Sequence, residues 1–414
     1  MPLDSKLVVS DLKELRALTA DANGAQRVAW TDTWQKARAW FEAKLQDLPV
    51  EYHYDAAGNR WVTLQGASEK ALILGSHLDS VPNGGWLDGA LGVMAALGVL
   101  RHIAEKYDGK PPVTVRLVDW ADEEGARFGR SLFGSSAFAG TQTIAADRGR
   151  TDRDGVRLED ALAGCGVTID AIAEAQQEQE NAAAYLELHI EQGPVLERMG
   201  LPLAAATGTK GVERHEITFH GQEAHSGSTP MTDRHDALAA AAKLALEIRS
   251  IAGRHQNAVC TMGSVKTFPG IVTAVVGRCE TTLDQRDLDA KILAQMYSEA
   301  RAASERFAAE EKCTVEWSRI WNIEPIPYHP ELIDLCEDSI RETAGKSHRM
   351  PSGPLHDAAE VSRAGIPTVM LFVQSLKGIS HNKIEDTQED HLELAVKAFD
   401  RLAAKTMAWI EKQG

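Results

Sequence analysis

The chain has 414 residues, 43% of them hydrophobic and 25% charged, roughly two to three domains' worth of ordinary globular composition with a large buried core. Its 44 basic residues face 60 acidic ones, a formal net charge of −16 with no basic run. This argues against nucleic acid and anionic membrane surfaces as partners. No window reaches the ~18 apolar residues of a membrane-spanning helix. The N-terminus, MPLDSKLVVSDLKELRAL, shows neither the apolar core nor the cleavage site of a signal peptide. Five dispersed cysteines (Cys165, Cys260, Cys279, Cys313, Cys336) form no CxxC pair. They suit reduced thiols in a cytoplasmic protein and exclude a cysteine-based zinc site.

Residues 71–76 (ALILGS) form an apolar run and lead into the loop HLDSVPNGGWLDG. LGVMAALGVLRHIAEKY follows with apolar residues at helical spacing, and residues 113–120 (VTVRLVDW) read as a second buried strand. Strand, long helix, strand is a βαβ unit, which implies a parallel sheet covered by helices. AYLELHI (184–190) and TVMLFV (368–373) are expected to join it. Between them HEITFHG (215–221), CTMGSVKTF (260–268), GRCETTLDQR (277–286) and CTVEWSRIW (313–321) alternate like half-exposed strands, interleaved with two helical stretches. Two helices on one face of an antiparallel sheet make a small inserted α+β domain. Its edges fall at the Gly- and Pro-rich segments TGTKG and EPIPYHP. The expected layout is a catalytic domain of residues 1–208 and 327–414, discontinuous around a lid at 209–326.

The chemistry-bearing residues sit just after strands, where open α/β sheets place their sites. His77 and Asp79 follow the first strand, Asp88 precedes the long helix, and Glu123 and Glu124 follow the second strand. His189 closes AYLELHI, and His381 lies in QSLKGISHN beyond TVMLFV. Imidazole plus carboxylate without thiolate suits zinc, manganese, cobalt or nickel in a hydrolytic role. Two such ions sharing a carboxylate would activate a water and polarise a scissile carbonyl. Of the adjacent glutamates, one can ligate while the other shuttles the proton. Asp79 is placed to hold the second ring nitrogen of His77.

GSHLDSVPNGGWLDG, WADEEGARFGRSLFGS, LHIEQGPVLE, AHSGSTPM and GISHN occur in that order. The set resembles the amidase/hydantoinase/carbamoylase branch of the dinuclear aminoacylase-type peptidase superfamily, from about residue 71 to 390. The branch includes N-carbamoyl-L-amino acid hydrolases, allantoate amidohydrolases and some β-ureidopropionases. The resemblance implies an α/β fold, a mostly parallel sheet sandwiched by helices as in zinc exopeptidases, with an inserted ferredoxin-like lid and dimerisation domain. It implies two divalent metal ions. His77, Asp88 and His189 would hold one, Asp88, Glu124 and His381 the other, with Asp88 bridging and Glu123 as general base. Gln192 and Arg286 resemble substrate-binding residues, Arg286 gripping a carboxylate. His225 resembles the histidine that reaches a neighbouring subunit's site to stabilise the oxyanion, so a homodimer through the lid is implied.

The chain departs from that pattern in the substrate cradle. Carbamoylases usually carry Ala-Val-Asn-Val-(Ile/Val)-Pro, whereas PGIVTAVVG here puts Thr273 at the position of the substrate-gripping Asn. Gln285 replaces the usual Leu before the Arg, and the usual Ser-Gly-Ala-Gly-His-Asp-Ala becomes SGPLHDA (352–358).

Each residue also has an ordinary structural explanation. Asp88 could only cap the following helix, the glutamate pair could be solvated, and His225 could pack inward. Arg286 could be a surface ion pair, Gln192 a turn residue, and His356 is open between a place behind the metal ligands, substrate contact and core. The leading expectation is hydrolysis of a linear C–N bond in an N-carbamoyl amino acid or related ureido acid, a small anionic substrate. The alternatives are an N-acyl amino acid or small peptide amide hydrolase, and a catalytically silent scaffold on the same fold.

Overall fold

The computed structural model describes residues 3–413 and divides into two compact units. One ends at Thr207 and resumes at Tyr328, and the other spans Gly208–Pro327. In the first unit four parallel strands form the centre of the sheet, in the spatial order Thr368–Val373, Ala182–Ile190, Ser68–His77 and Val113–Trp120. They are the four apolar runs of the sequence. Antiparallel strands flank them, Arg60–Leu64 and Glu51–Tyr54 on one side and Leu203–Thr209 on the other. Glu51–Tyr54 and Arg60–Leu64 must be antiparallel because a short turn joins them, too short for a crossover. The Asp55 side chain organises that turn by accepting from the N–H groups of Ala57 and Asn59.

All eight residues of Val113–Trp120 are buried, as expected of a central parallel strand. Its two charges are tolerated because each has a partner. Arg116 pairs with Glu178, and Asp119 lies 2.7 Å from Arg38 Nε. Asp119 also accepts from the N–H of Leu78 at 2.8 Å and so ties down the segment leaving the neighbouring strand.

Helices pack on the sheet in two groups. Ser5–Thr19, Ala90–Lys106, Pro330–Ala344 and Glu389–Lys412 contact one another, while Phe133–Ala139 packs with Asp357–Arg363 and with the 3-10 turn Ile172–Gln179. Ala90–Lys106 is apolar on nearly every side. It comes so close to the sheet that a Cβ on Gly92 would stand 2.5 Å from both Leu188 O and Ser76 Cβ. That approach brings the start of the helix beside the ends of the strands.

The second unit holds a four-stranded antiparallel sheet in the order Val259–Phe268, Arg278–Asp287, Gly211–His220, Thr314–Ile323. Helices Ala237–Gly253 and Ala290–Glu310 pack on it through Ile217, Phe219, Leu244, Leu283 and Met296. The chain order βαββαβ with this strand order is the ferredoxin-like arrangement.

Replacing Gly92 by Ala is expected to cost about 1–3 kcal/mol through overpacking, read as a lower thermal midpoint. Gly164→Ala is the control, since its added methyl meets nothing within 4 Å. Equal midpoints for the two variants would contradict the close helix approach.

Candidate metal centre and active site

The candidate residues of the first unit are delivered by the carboxyl ends of the parallel strands. His77 is the last residue of Ser68–His77, and His189 is the next-to-last of Ala182–Ile190. Glu123 and Glu124 follow Val113–Trp120, Gln192 lies two residues beyond Ala182–Ile190, and His381 follows Thr368–Val373. Asp88 precedes Gly89, whose positive φ of 64° turns the chain into the long helix. Only glycine fits there, because a Cβ would stand 2.3 Å from the His77 ring. The helix has no side-chain cap, so Asp88 is not an N-cap acceptor.

Asp88 is the hub. Its Oδ1 lies 3.2 Å from His189 Nε2 and 3.9 Å from His77 Nε2, and its Oδ2 lies 3.3 Å from His381 Nε2. His381 Nε2 is also 3.4 Å from Glu124 Oε2, and Glu123 Oε2 is 3.8 Å from His77 Nε2. Three sets among the described residues bring their ligand atoms within 4.8 Å of one another: Glu187, His189 and His356, and the two expected ones, His77, Asp88 and His189, and Asp88, Glu124 and His381. The two expected sets share Asp88. Glu124 Oε1 is buried with no hydrogen-bond partner, and His189 Nε2 makes no well-formed hydrogen bond. Buried polar atoms left this way are rare unless a ligand completes them. This donor set fits a pair of divalent cations.

The surrounding residues hold these side chains in place. His77 Nδ1 is 3.1 Å from the Asp79 carbonyl and 3.4 Å from its carboxylate. The Asp79 carboxylate does more than the sequence suggests, accepting the backbone N–H groups of Glu123 and Glu124 at 3.2 Å each. It therefore positions the glutamate pair as well as the first imidazole. Gln192 has a φ of 57° and donates its amide to Asp88 Oδ2 at 2.9 Å and to Ser380 Oγ at 3.0 Å. Its Oε1 is buried without a partner. Glu385 was not singled out from the sequence. It accepts from the N–H groups of Leu87 and Asp88, and Ser380 donates to it and to Asp88. Its place four residues beyond His381 in GISHNKIED was the available signal.

Carboxylates outnumber cations here, and the proton affinities reflect it. Burial raises Glu123 well above the ordinary carboxylate range; His77 opposes this, while Asp357, Glu124 and Asp79 add to it. Burial and then Asp88 raise Glu124 to about 7. Burial and Asp79 raise Asp122 to about 8. Burial works against the charged forms of His77 and Asp88, yet His77 is held well above its usual value by Glu123 and Asp79. Asp88 is held well below its own by His189 and His381. His356, left open by the sequence, is buried with its ring centroid 4.3 Å from that of His189. Burial, then His189, holds its imidazole well below the usual histidine value.

The other candidates belong to the second unit. His225 pairs with Ala274 in a two-stranded ribbon, and the Thr273 carbonyl accepts from the N–H of Ser226 at 2.9 Å, so Thr273 and His225 are neighbours. Arg286 lies on the four-stranded sheet and pairs with Asp284 at 2.8 Å.

A family model described as peptidase family M20/M25/M40 matches residues 73–405. The chain is 33% identical over 380 residues to an N-carbamoyl-L-amino acid amidohydrolase of Geobacillus stearothermophilus, covering 89% of this chain and 90% of that protein. It is 30% identical over 385 residues to an allantoate amidohydrolase of Bacillus subtilis (strain 168), covering 92% of each. Among solved structures, an amidase of the hydantoinase/carbamoylase family from Burkholderia phymatum superposes with a TM-score of 0.88 at 31% identity, covering 99% of this chain and 98% of that one. With the carboxylate-centred donor set in place and the match running through nearly all of it, the chain belongs to peptidase family M20/M25/M40, as a member similar to its hydantoinase/carbamoylase-type amidases.

Proposed function

We propose that the chain hydrolyses the linear C–N bond of an N-carbamoyl amino acid or related ureido acid, giving an amino acid, ammonia and carbon dioxide. The convergence of His77, His189, His381 and Glu124 on Asp88 carries this reading, in a chain similar to relatives named for N-carbamoyl-amino acid and allantoate hydrolysis. His77, Asp88 and His189 would hold one divalent ion and Asp88, Glu124 and His381 a second, as zinc, manganese, cobalt or nickel. When bound, such a pair supplies Lewis acidity and a water made acidic enough to attack at neutral pH.

The chain's own residues do the rest. Glu123 takes the proton of the attacking water and returns it to the leaving nitrogen. Asp79 keeps Glu123 and Glu124 in register through their backbone N–H groups. Gln192 orients the substrate beside Asp88, and Arg286 takes the substrate carboxylate as a planar fork. The partner subunit's His225, beside Thr273, stabilises the oxyanion. The second unit then serves as lid and dimerisation domain of a homodimer. Free thiols at all five cysteines suit a cytoplasmic enzyme.

A second reading, hydrolysis of an N-acyl amino acid or small peptide amide, is favoured by Thr273 and Gln285, which alter the substrate cradle. Assaying ammonia and free amine together separates them, since only a ureido or amidine group releases ammonia directly. Free amine from N-acyl amino acids, with no ammonia from N-carbamoyl amino acids, β-ureidopropionate or allantoate, would overturn the first reading.

Chelation should abolish turnover, and adding back manganese, zinc or cobalt should restore it; full activity of metal-stripped protein would rule out the metal centre. Glu123→Gln should keep its metal content while losing about 10²- to 10⁴-fold in kcat, the worth of one proton-transfer group. Metal analysis beside single-turnover kinetics checks this, and retained kcat would remove Glu123 from proton transfer.

A further inference from the structure

Between His77 and Asp88 the first unit runs through a loop, residues 78–87, and residues 24–27 clasp that loop. The Ala25 N–H donates to Gly84 O at 2.9 Å, the Gly84 N–H to Ala25 O at 3.3 Å, and the Ser80 N–H to Arg27 O at 3.0 Å. In return the Arg27 N–H donates to Ser80 Oγ at 3.1 Å, and Gln26 Nε2 donates to Asn83 Oδ1 at 2.9 Å. The backbones are so close that a Cβ on Gly24 would stand 2.5 Å from Gly84 O. Arg27 then reaches the start of the loop, donating Nε to Leu78 O at 2.8 Å. Leu78 and Ser80 flank Asp79, which holds the His77 ring and the backbone of Glu123 and Glu124.

Arg27 is 0% exposed, yet its side chain bonds only to neutral oxygens. Nη1 donates to Thr19 Oγ1 at 3.3 Å, and that hydroxyl donates to Leu15 O at 2.7 Å. Nη2 is buried without a hydrogen-bond partner. A guanidinium keeps its charge when buried, and a buried charge is costly unless its surroundings favour it. Burial works against the Arg27 charge; Glu385, Asp79, Asp88 and Glu124, in that order, favour it. All four belong to the candidate metal centre. The attraction is mutual, so the same charge offsets the repulsion among these carboxylates.

We infer that Arg27 is a positioning residue of the active site. It fixes the segment carrying Asp79 through Leu78 and Ser80, and its permanent charge stands behind the carboxylates as a built-in counter-ion. The effect on turnover rests on the hydrolytic reading above; the counter-ion role does not. Divalent ions and Arg27 answer the same excess of negative charge. Without Arg27, bound metal therefore carries more of the stability of the folded state.

The test measures thermal midpoints of wild type, Arg27→Met and Arg27→Lys, each metal-free and loaded with manganese, with kcat and KM beside them. Arg27→Met keeps most of the volume and removes the charge. Its metal-induced rise in midpoint should exceed that of wild type by about 2–4 °C or more. Arg27→Lys keeps the charge and loses the planar fork. Its metal-induced rise should match wild type, while kcat falls about 10- to 100-fold, the usual effect of losing a group that orients metal ligands from behind. A side chain that only fills space would lower the midpoints equally with and without metal. Equal metal-induced rises in wild type and Arg27→Met, or an Arg27→Met protein that folds in neither state, overturn the counter-ion role. Unaltered kcat in Arg27→Lys overturns the positioning role. Wild type that cleaves neither ureido nor N-acyl substrates overturns the proposed function and leaves the midpoint comparison standing.

Discussion

A single buried carboxylate organises the first unit. Asp88 is 3% exposed, and an ionised carboxylate at that depth is sustainable only among charges and donors that replace its water. Its two oxygens divide the neighbours: His77 and His189 on one side, His381 with Gln192 and Ser380 on the other. These groups arrive from three strand ends, those of Ser68–His77, Ala182–Ile190 and Thr368–Val373. The parallel register that sets Ser76 opposite Asp119 and Phe372 opposite His189 therefore has to be right for the cluster to exist. The close approach of helix Ala90–Lys106, at Gly92, belongs to the same requirement.

Crowding acids around this hub has a cost, visible in the raised proton affinities of Glu123, Glu124 and Asp122. Divalent cations relieve such a cost, and so does a proton held on a glutamate that must later give it up. The backbone shows the same tension. Asp122, Gln192 and His381 all take positive φ without being glycine, a conformation that persists only where the surroundings over-determine it. Here they do: Asp122 accepts from Trp30 Nε1 at 2.7 Å and from the N–H of Gly125 at 3.1 Å, and the Gln192 N–H donates to Ser375 Oγ at 3.0 Å.

Much of the fold was legible because the relevant segments are long and of one periodicity. The runs at 71–76, 113–120, 184–190 and 368–373 all lie in central strands, which are buried on both faces and so read as continuous apolar stretches. The small core of Trp30, Trp34, Phe128, Phe133, Leu158, Leu162 and Ile172 was not legible. Its helices Phe133–Ala139 and Leu158–Gly164 have seven residues each, too short for a helical period to stand out. The marginal strand Glu51–Tyr54 was missed for a different reason. Glu51–Tyr54 is exposed along its whole length and carries no apolar signal.

The sequence alone determined the chemistry on offer. Imidazoles and carboxylates placed just after apolar strands, with no thiolate among them, specify the donor atoms, because strand ends in an open α/β sheet converge wherever the chain leads. Tertiary structure decided how those atoms are shared. Asp88 faces three imidazoles, Asp79 serves the backbone of Glu123 and Glu124 as much as His77, Glu385 anchors Asp88, and Asp284 is divided between Arg214 and Arg286. These pairings join residues from as few as two to about three hundred positions apart. They depend on sheet register and on helices approaching within van der Waals contact, which no local pattern encodes.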